Sequence, residues 1–114
     1  MDYAVFMDHG YRGLYGGLAT KELREGKQLN SKENILDRMG STELAANLFR
    51  ATQTEEKLRR ENVRSKHEAN QLHEAVGKKV RQTIEDLGGT MPEQLPVAEN
   101  IKTIAKRQKK RIRS

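Results

Sequence analysis

Cysteine and tryptophan are absent from this chain. Without cysteine there is no disulfide framework and no thiolate chemistry, which fits a reducing compartment and points to the cytoplasm. Aromatics are few, three Tyr and two Phe, and about a third of the 114 residues are apolar. Burial is therefore modest for the length. One core is the ceiling, and self-association or a partner is the natural remedy for marginal stability. Long uncharged apolar runs are lacking as well, and none approaches the roughly 18 to 20 residues of a spanning helix. The start, Met1 to Gly10, carries Asp2 and Asp8 and has no apolar stretch behind a basic one, so it does not read as a secretory signal. A soluble chain without membrane association is expected.

An excess of charge of one sign is also missing, except at the end. Residues 101–114 hold seven Lys/Arg and no Asp/Glu, leaving 15 against 16 in the first hundred, so the net charge of +6 arises in the last turns. Within that segment Lys106, Arg107, Lys109, Lys110, Arg111 and Arg113 put six cations in eight positions. Such a tail can neutralise DNA or RNA phosphates and release counterions, or serve as a basic end that aids solubility. No aromatics are interleaved, so base stacking and sequence specificity are not expected from it.

What is present is helical punctuation. The apolar opening, Tyr3-Ala-Val-Phe-Met7, runs into Gly10, Gly13, Gly16 and Gly17, four glycines in eight positions. They predict turns or close backbone approach in place of a long helix, with Tyr11, Leu14 and Tyr15 packing on the helices. Neither a GxxxxGK[ST] spacing nor a strand feeding GxGxxG is present, which argues against a phosphate loop. Thr20 is placed to cap a helix over 21–25 that stops at Gly26, and Ser31 to cap one over 32–39 that stops at Gly40. Two short helices before a third can form a helix-turn-helix, although the would-be reading helix, 32–39, balances its cations with acids.

Ser41 is placed to cap a long helix over 42–62, with Leu44, Leu48, Ala51 and Leu58 as its buried stripe and Ala45 and Phe49 alongside. Ser65 and Glu68 form a capping box for the next helix. Its stripe reads Ala69, His73, Val76, Val80, Thr83, Leu87, widened by Leu72 and Ile84, and it ends at Gly88-Gly89 with Pro92 beyond. Together these predict a helical hairpin packing Leu44, Leu48 and Leu58 on Val76, Val80, Ile84 and Leu87. Its seam, Ala69, Leu72, His73, Val76, Val80, Ile84 and Leu87, is the candidate protein interface, and pairing with another copy would stabilise it. Were His73 buried in a dimer seam, protonation below about pH 6.5 would weaken association. After the extended link 91–96 a last helix is expected from near Ala98, with Val97, Ile101, Ile104 and Ala105 at helical spacing. The expectation is an all-α protein with a small helical domain over 1–96, built on a long hairpin with short N-terminal helices, and a basic C-terminal helix or tail over 97–114.

No converging nucleophile, base and orienting partner is found. His9, His67 and His73 lack further ligands at metal spacing, so neither metal nor cofactor is expected. Glu55/Glu56 and Glu85/Asp86 are sequence neighbours on diverging helix faces and read as solvation.

Two stretches go beyond pattern. Residues 39–61, Met39-Gly-Ser-Thr-Glu-Leu-Ala-Ala-Asn-Leu-Phe-Arg-Ala-Thr-Gln-Thr-Glu-Glu-Lys-Leu-Arg-Arg-Glu61, and residues 76–96, from Val76-Gly-Lys-Lys-Val to Met91-Pro-Glu-Gln-Leu-Pro96, resemble the C-terminal half of the bacterial DNA-damage-inducible protein D family. Tyr3, 10–15 and 35–38 resemble it too, so the likeness covers roughly residues 3 to 102. Members of that family usually carry a further N-terminal domain resembling phage antirepressors, and this sequence is expected to correspond to the part after it. An aromatic is expected where Glu74 stands, and the tail from Ile104 onward matches nothing in the family. The resemblance implies a bacterial or mobile-element protein tied to the DNA-damage (SOS) response, with effects on recombinase filaments on DNA and no catalytic residues. The expected function is therefore a non-enzymatic helical binding protein that modulates recombination or repair proteins on DNA, with a recombinase among the candidate partners. The alternative is a phage-type regulator that binds a host protein, antirepressor-like or anti-defence, without a nucleic-acid role.

Overall fold

The computed structural model describes residues 2–99, and over them the chain is all-helical. Four α-helices follow in order: α1 (Tyr3–Leu14), α2 (Thr20–Gly26), α3 (Ser41–Arg60) and α4 (Lys66–Asp86), with single 3-10 turns at Ile35–Arg38 and Pro92–Gln94. Helices α3 and α4, of 20 and 21 residues, form the expected antiparallel hairpin. At about 1.5 Å per residue each spans roughly 30 Å.

The ends of the helices are set by local chemistry. Asp2 accepts from the backbone N–H of Ala4 and Val5 at the start of α1, and Ser65 accepts from Glu68 N–H at the start of α4. Each α-helix stops in the same way, with one residue in the left-handed region and a six-residue backbone bond behind it. At α1 Gly16 (φ +66) takes that position and Gly17 N–H donates to Arg12 C=O. Gly88 (φ +72) does so at α4, where Gly89 N–H donates to Ile84 C=O. Gln28 and Asn62 adopt the same backbone after α2 and α3.

Several expectations are corrected here. The glycine-rich segment is not a run of turns, because α1 continues through Gly10 and Gly13 to Leu14. Two interior glycines weaken a helix by about 1 kcal/mol each relative to alanine, and the compensation is the contact described below. The segment 32–39 is not an α-helix capped by Ser31. Asn34 caps a single 3-10 turn, with Ile35 and Met39 turned into the core. A turn this short, anchored by buried side chains, cannot enter a major groove, so the helix-turn-helix reading falls. Ala19 and Gly40, and not Thr20 and Ser41, are the cap residues of α2 and α3. Thr20 is instead bound through its N–H and hydroxyl to the Asp8 carboxylate of α1.

The core gathers Tyr11 and Leu14 of α1 with Tyr15 just after it, Leu23 of α2, Ile35 and Met39 of the link, and Val80 of α4. Helix α1 runs parallel to α4, with contacts stepping from Phe6–His73 to Leu14–Arg81. The chain then folds back over the hairpin's open end. Val97 pairs with Met39 in an isolated antiparallel bridge, and Arg38 C=O accepts from Ala98 N–H. The body therefore holds backbone pairing to residue 98, and the helix expected beyond it, with Ile101, Ile104 and Ala105, lies outside the described residues.

Candidate functional site

The buried row of α3 is polar. Glu43, Asn47, Arg50 and Thr54 recur at spacings of four, three and four, and each is at most 2% exposed. The expected stripe is displaced to the flanks, with Leu48 and Phe49 53% and 56% exposed. Burying these polar groups is tolerable because nearly all of their polar atoms find hydrogen-bond partners inside the fold. Lys27 of the α2 end donates to Glu43 at 2.8 Å, and the Tyr15 hydroxyl donates to the other carboxylate oxygen. Asn47 donates to Tyr15 Oη at 2.9 Å and to the Glu43 carbonyl at 3.0 Å, and accepts from Arg50 Nη2 at 3.2 Å. Arg50 Nη1 donates to His73 Nε2, and His73 Nδ1 donates to the Phe6 carbonyl at 2.8 Å. One network thus joins α1, α2, α3 and α4.

The charge balance along this row is uneven. Lys27 and Glu43 neutralise each other, whereas Arg50 has no carboxylate partner among the described residues. Its guanidinium is held by His73, by Asn47 and by the face of Tyr11, 5.1 Å from the ring centroid, and its Nε has no hydrogen-bond partner. Burial and this neighbouring cation press the His73 pKa down to about 4, against the helping pull of the Phe6 carbonyl. His73 is therefore neutral at physiological pH, with the proton on Nδ1. Burial also raises the Tyr15 hydroxyl, reinforced by its bond to the Glu43 carboxylate. A neutral imidazole and a protonated phenol, both sealed from water, act as fixed hydrogen-bond parts.

One turn along α4 from His73, the contact with α1 is built from the absence of side chains. A Cβ on Gly10 would lie 2.3 Å from His73 Nε2, one on Gly13 2.2 Å from the Glu74 carbonyl, and one on Gly77 2.7 Å from the Gly10 carbonyl. The backbones of α1 and α4 touch, which only glycine permits. Glu74, at the position where an aromatic was expected, faces His9 at 3.1 Å, a contact that holds its carboxyl below the usual range.

Outward from the polar row, α3 and α4 enclose a groove of about 260 Å³ lined by Phe49, Gln53, Lys57, Arg60, Val76, Lys79, Val80 and Thr83. A second depression of about 240 Å³ lies on the opposite flank of the row, where Tyr3, Phe6 and Met7 of α1 face Ala51 and Leu58 above His73. Among the described residues no group of His, Asp and Glu is arranged to hold a metal ion, and no helix is long and apolar enough to cross a membrane.

The predicted interface residues divide by position. Ala69, His73 and Val80 are buried in this chain's own core, against α1 and α3, and Leu72, Val76 and Ile84 are half-buried. Leu87 is 81% exposed. His73 thus lies inside one protomer, so the pH-sensitive dimer seam imagined for it has no histidine to titrate. The tail residues Lys106, Arg107, Lys109, Lys110, Arg111 and Arg113 lie outside the described residues. Sequence reasoning missed Tyr15, Lys27, Glu43, Asn47, Arg50 and Thr54 as partners. The signal was there as a heptad-spaced polar row on α3, hidden by counting apolar positions alone.

Residues 1–104 match the family model described as the DinD C-terminal domain. The chain is also similar to the DNA damage-inducible protein D of Escherichia coli strain K12, at 65% identity over 95 residues, which cover 83% of this chain and 35% of that protein. It therefore spans about a third of the length of this relative. No solved structure matches it.

Proposed function

The chain belongs to the DinD C-terminal domain family, and from that premise we propose that it is a non-enzymatic helical binding domain of the bacterial DNA-damage response. It acts in the cytoplasm on recombination or repair proteins at DNA, taking protein through the hairpin surface and phosphate through the basic tail. The 65% identity to a protein named for its induction by DNA damage carries this reading. The structure contributes a hairpin whose buried polar row is bonded mostly within the fold, while its outward face keeps Leu48 and Phe49 in water. Exposed apolar strips of this kind are a feature of interaction surfaces.

A pull-down with the full chain from damaged bacterial cells, with and without nuclease, tests it. Recombination or repair proteins should be captured, and part of the capture should be lost with nuclease. If all six tail cations engage duplex phosphate, log affinity falls against log salt with a slope of about −5. A flat salt profile, or unchanged binding on deleting 106–114, removes the tail from the mechanism. The near-neutral body, 15 cations against 16 acids over residues 1–100, favours a second reading, a mobile-element or phage-type regulator that binds a host protein alone. Partners that all survive nuclease would select it.

A further inference from the structure

The α3–α4 groove carries a charge signature that the body as a whole does not. Its floor is apolar, formed by Val76, Val80 and the ring of Phe49. Its rim holds three cations, Lys57 and Arg60 from α3 and Lys79 from α4, and no Asp or Glu lines it. Lys57 meets Glu61, just past the end of α3, at 3.6 Å and Arg60 meets Glu56 at 2.9 Å, through side chains 40–59% exposed. Such solvated pairs contribute little and exchange readily for another carboxylate. Lys79 forms no ion pair with a described residue.

The shape is that of a seat for a helix. On α4 the lining residues Lys79, Val80 and Thr83 lie three, four and seven positions after Val76, one continuous ridge about two turns long. On α3, Phe49, Gln53, Lys57 and Arg60 form the facing ridge, on the flank of the polar row away from Ala51 and Leu58. Charge decides among occupants. A second copy docked about a twofold axis would bring the same three cations face to face, and the chain's own tail would add six more. A nucleic-acid single strand needs successive stacking rings, and Phe49 is the one aromatic in the groove.

We propose that this groove is the docking site for an acidic amphipathic helix of a partner protein. Its apolar stripe sits on Phe49, Val76 and Val80, and its Asp/Glu flanks meet Lys57, Arg60 and Lys79. This rests on reading the chain as a binding domain and specifies the chemistry of its protein partner.

The test places a photo-cross-linking amino acid at Gln53, in the groove, and in a control at Gln71, exposed on the far side of α4, in the full chain in bacteria exposed to a DNA-damaging agent. Cross-linked partner peptides are then sequenced by mass spectrometry. The Gln53 probe, and not the Gln71 probe, should join a net-acidic segment with apolar residues three and four apart. Lys57→Glu/Lys79→Glu should cut that yield at least tenfold with unchanged helix content by circular dichroism. A cross-link to a second copy, to nucleic acid or to a basic segment overturns the proposal, as does a yield no higher than the control or one that survives charge reversal. A pull-down with the charge-reversed chain separates the two levels. If it retains the wild-type partners, the groove assignment fails and the binding-domain reading stands. If neither chain captures a specific partner, the binding-domain reading itself fails.

Discussion

Helix α4 is shared by two interfaces made on opposite plans. Toward α1 it presents Gly77 to Gly10 and Gly13, and backbone meets backbone. Toward α3 it presents His73 to a row of buried polar side chains, and the space between helices is filled by hydrogen-bonded groups. The first contact gains dispersion from proximity and tolerates no added atom. The second is held by matched donors and acceptors, so it tolerates little loss of a partner. A chain poor in apolar residues can therefore hold four helices together by removing side chains where α1 meets α4 and pairing polar ones around α3.

The largest effect should come from breaking the polar side. Glu43→Ala leaves Lys27 buried without its carboxylate and should cost about 3 to 5 kcal/mol in urea unfolding. The double variant Lys27→Met/Glu43→Leu should recover much of that loss. A single-variant cost under about 1 kcal/mol would show that the buried polar row of α3 is not held by its pairs.

Acid should act on the same side at the His73–Arg50 contact. The His73 pKa in the fold is about 4, below an unfolded value near 6.5, so between the two the unfolded chain takes a proton that the native one refuses. The contribution is fully present above about pH 6.5 and is lost as the pH falls through 4, a change of about 3 kcal/mol. Unfolding measured at pH 7 and 4.5, with the imidazole followed by NMR, checks this. A His73 ring that titrates near 6.5 in the native state would contradict it.

On the glycine side, Gly13→Ala and Gly77→Ala should each cost about 1 to 3 kcal/mol despite the better helix propensity of alanine. The added methyl would meet backbone, which cannot swing away. Gly26→Ala, with nothing within 4 Å of the new Cβ, should cost nothing measurable in the same melts. The smallest effect is expected at Leu87→Ser, within about 0.5 kcal/mol, because that side chain lies outside both interfaces. A larger loss would mean that a partner or a second copy covers it.

Much of the frame was legible in the residues. Ser65 with Glu68, and Gly88-Gly89 before Pro92, bracket α4 because capping and left-handed turns depend on a few neighbouring atoms. The hairpin follows from two long periodic stretches joined at 61–65. The inward face of α3 was not legible. Leu48 and Phe49 are the residues a stripe should bury, yet Arg50 and Glu43 are the ones inside, since their partners Tyr15, Lys27 and His73 come from three other helices and no local rule announces them. Gly10 and Gly13 were ambiguous for a related reason. A glycine in sequence permits a turn or a close contact, and the choice was made by Gly77, more than sixty residues away.

By itself, then, the sequence determined that this protein is helical, where its long helices begin and end, and that its net positive charge gathers beyond residue 100. These properties are set by interactions among residues a few positions apart. Only the tertiary structure decided which side of α3 is inside, that His73 is held neutral by an arginine, and that an apolar groove with a cationic rim faces outward between α3 and α4. The burial of a polar group depends on partners meeting it in space, and those partners are assembled only when the chain folds.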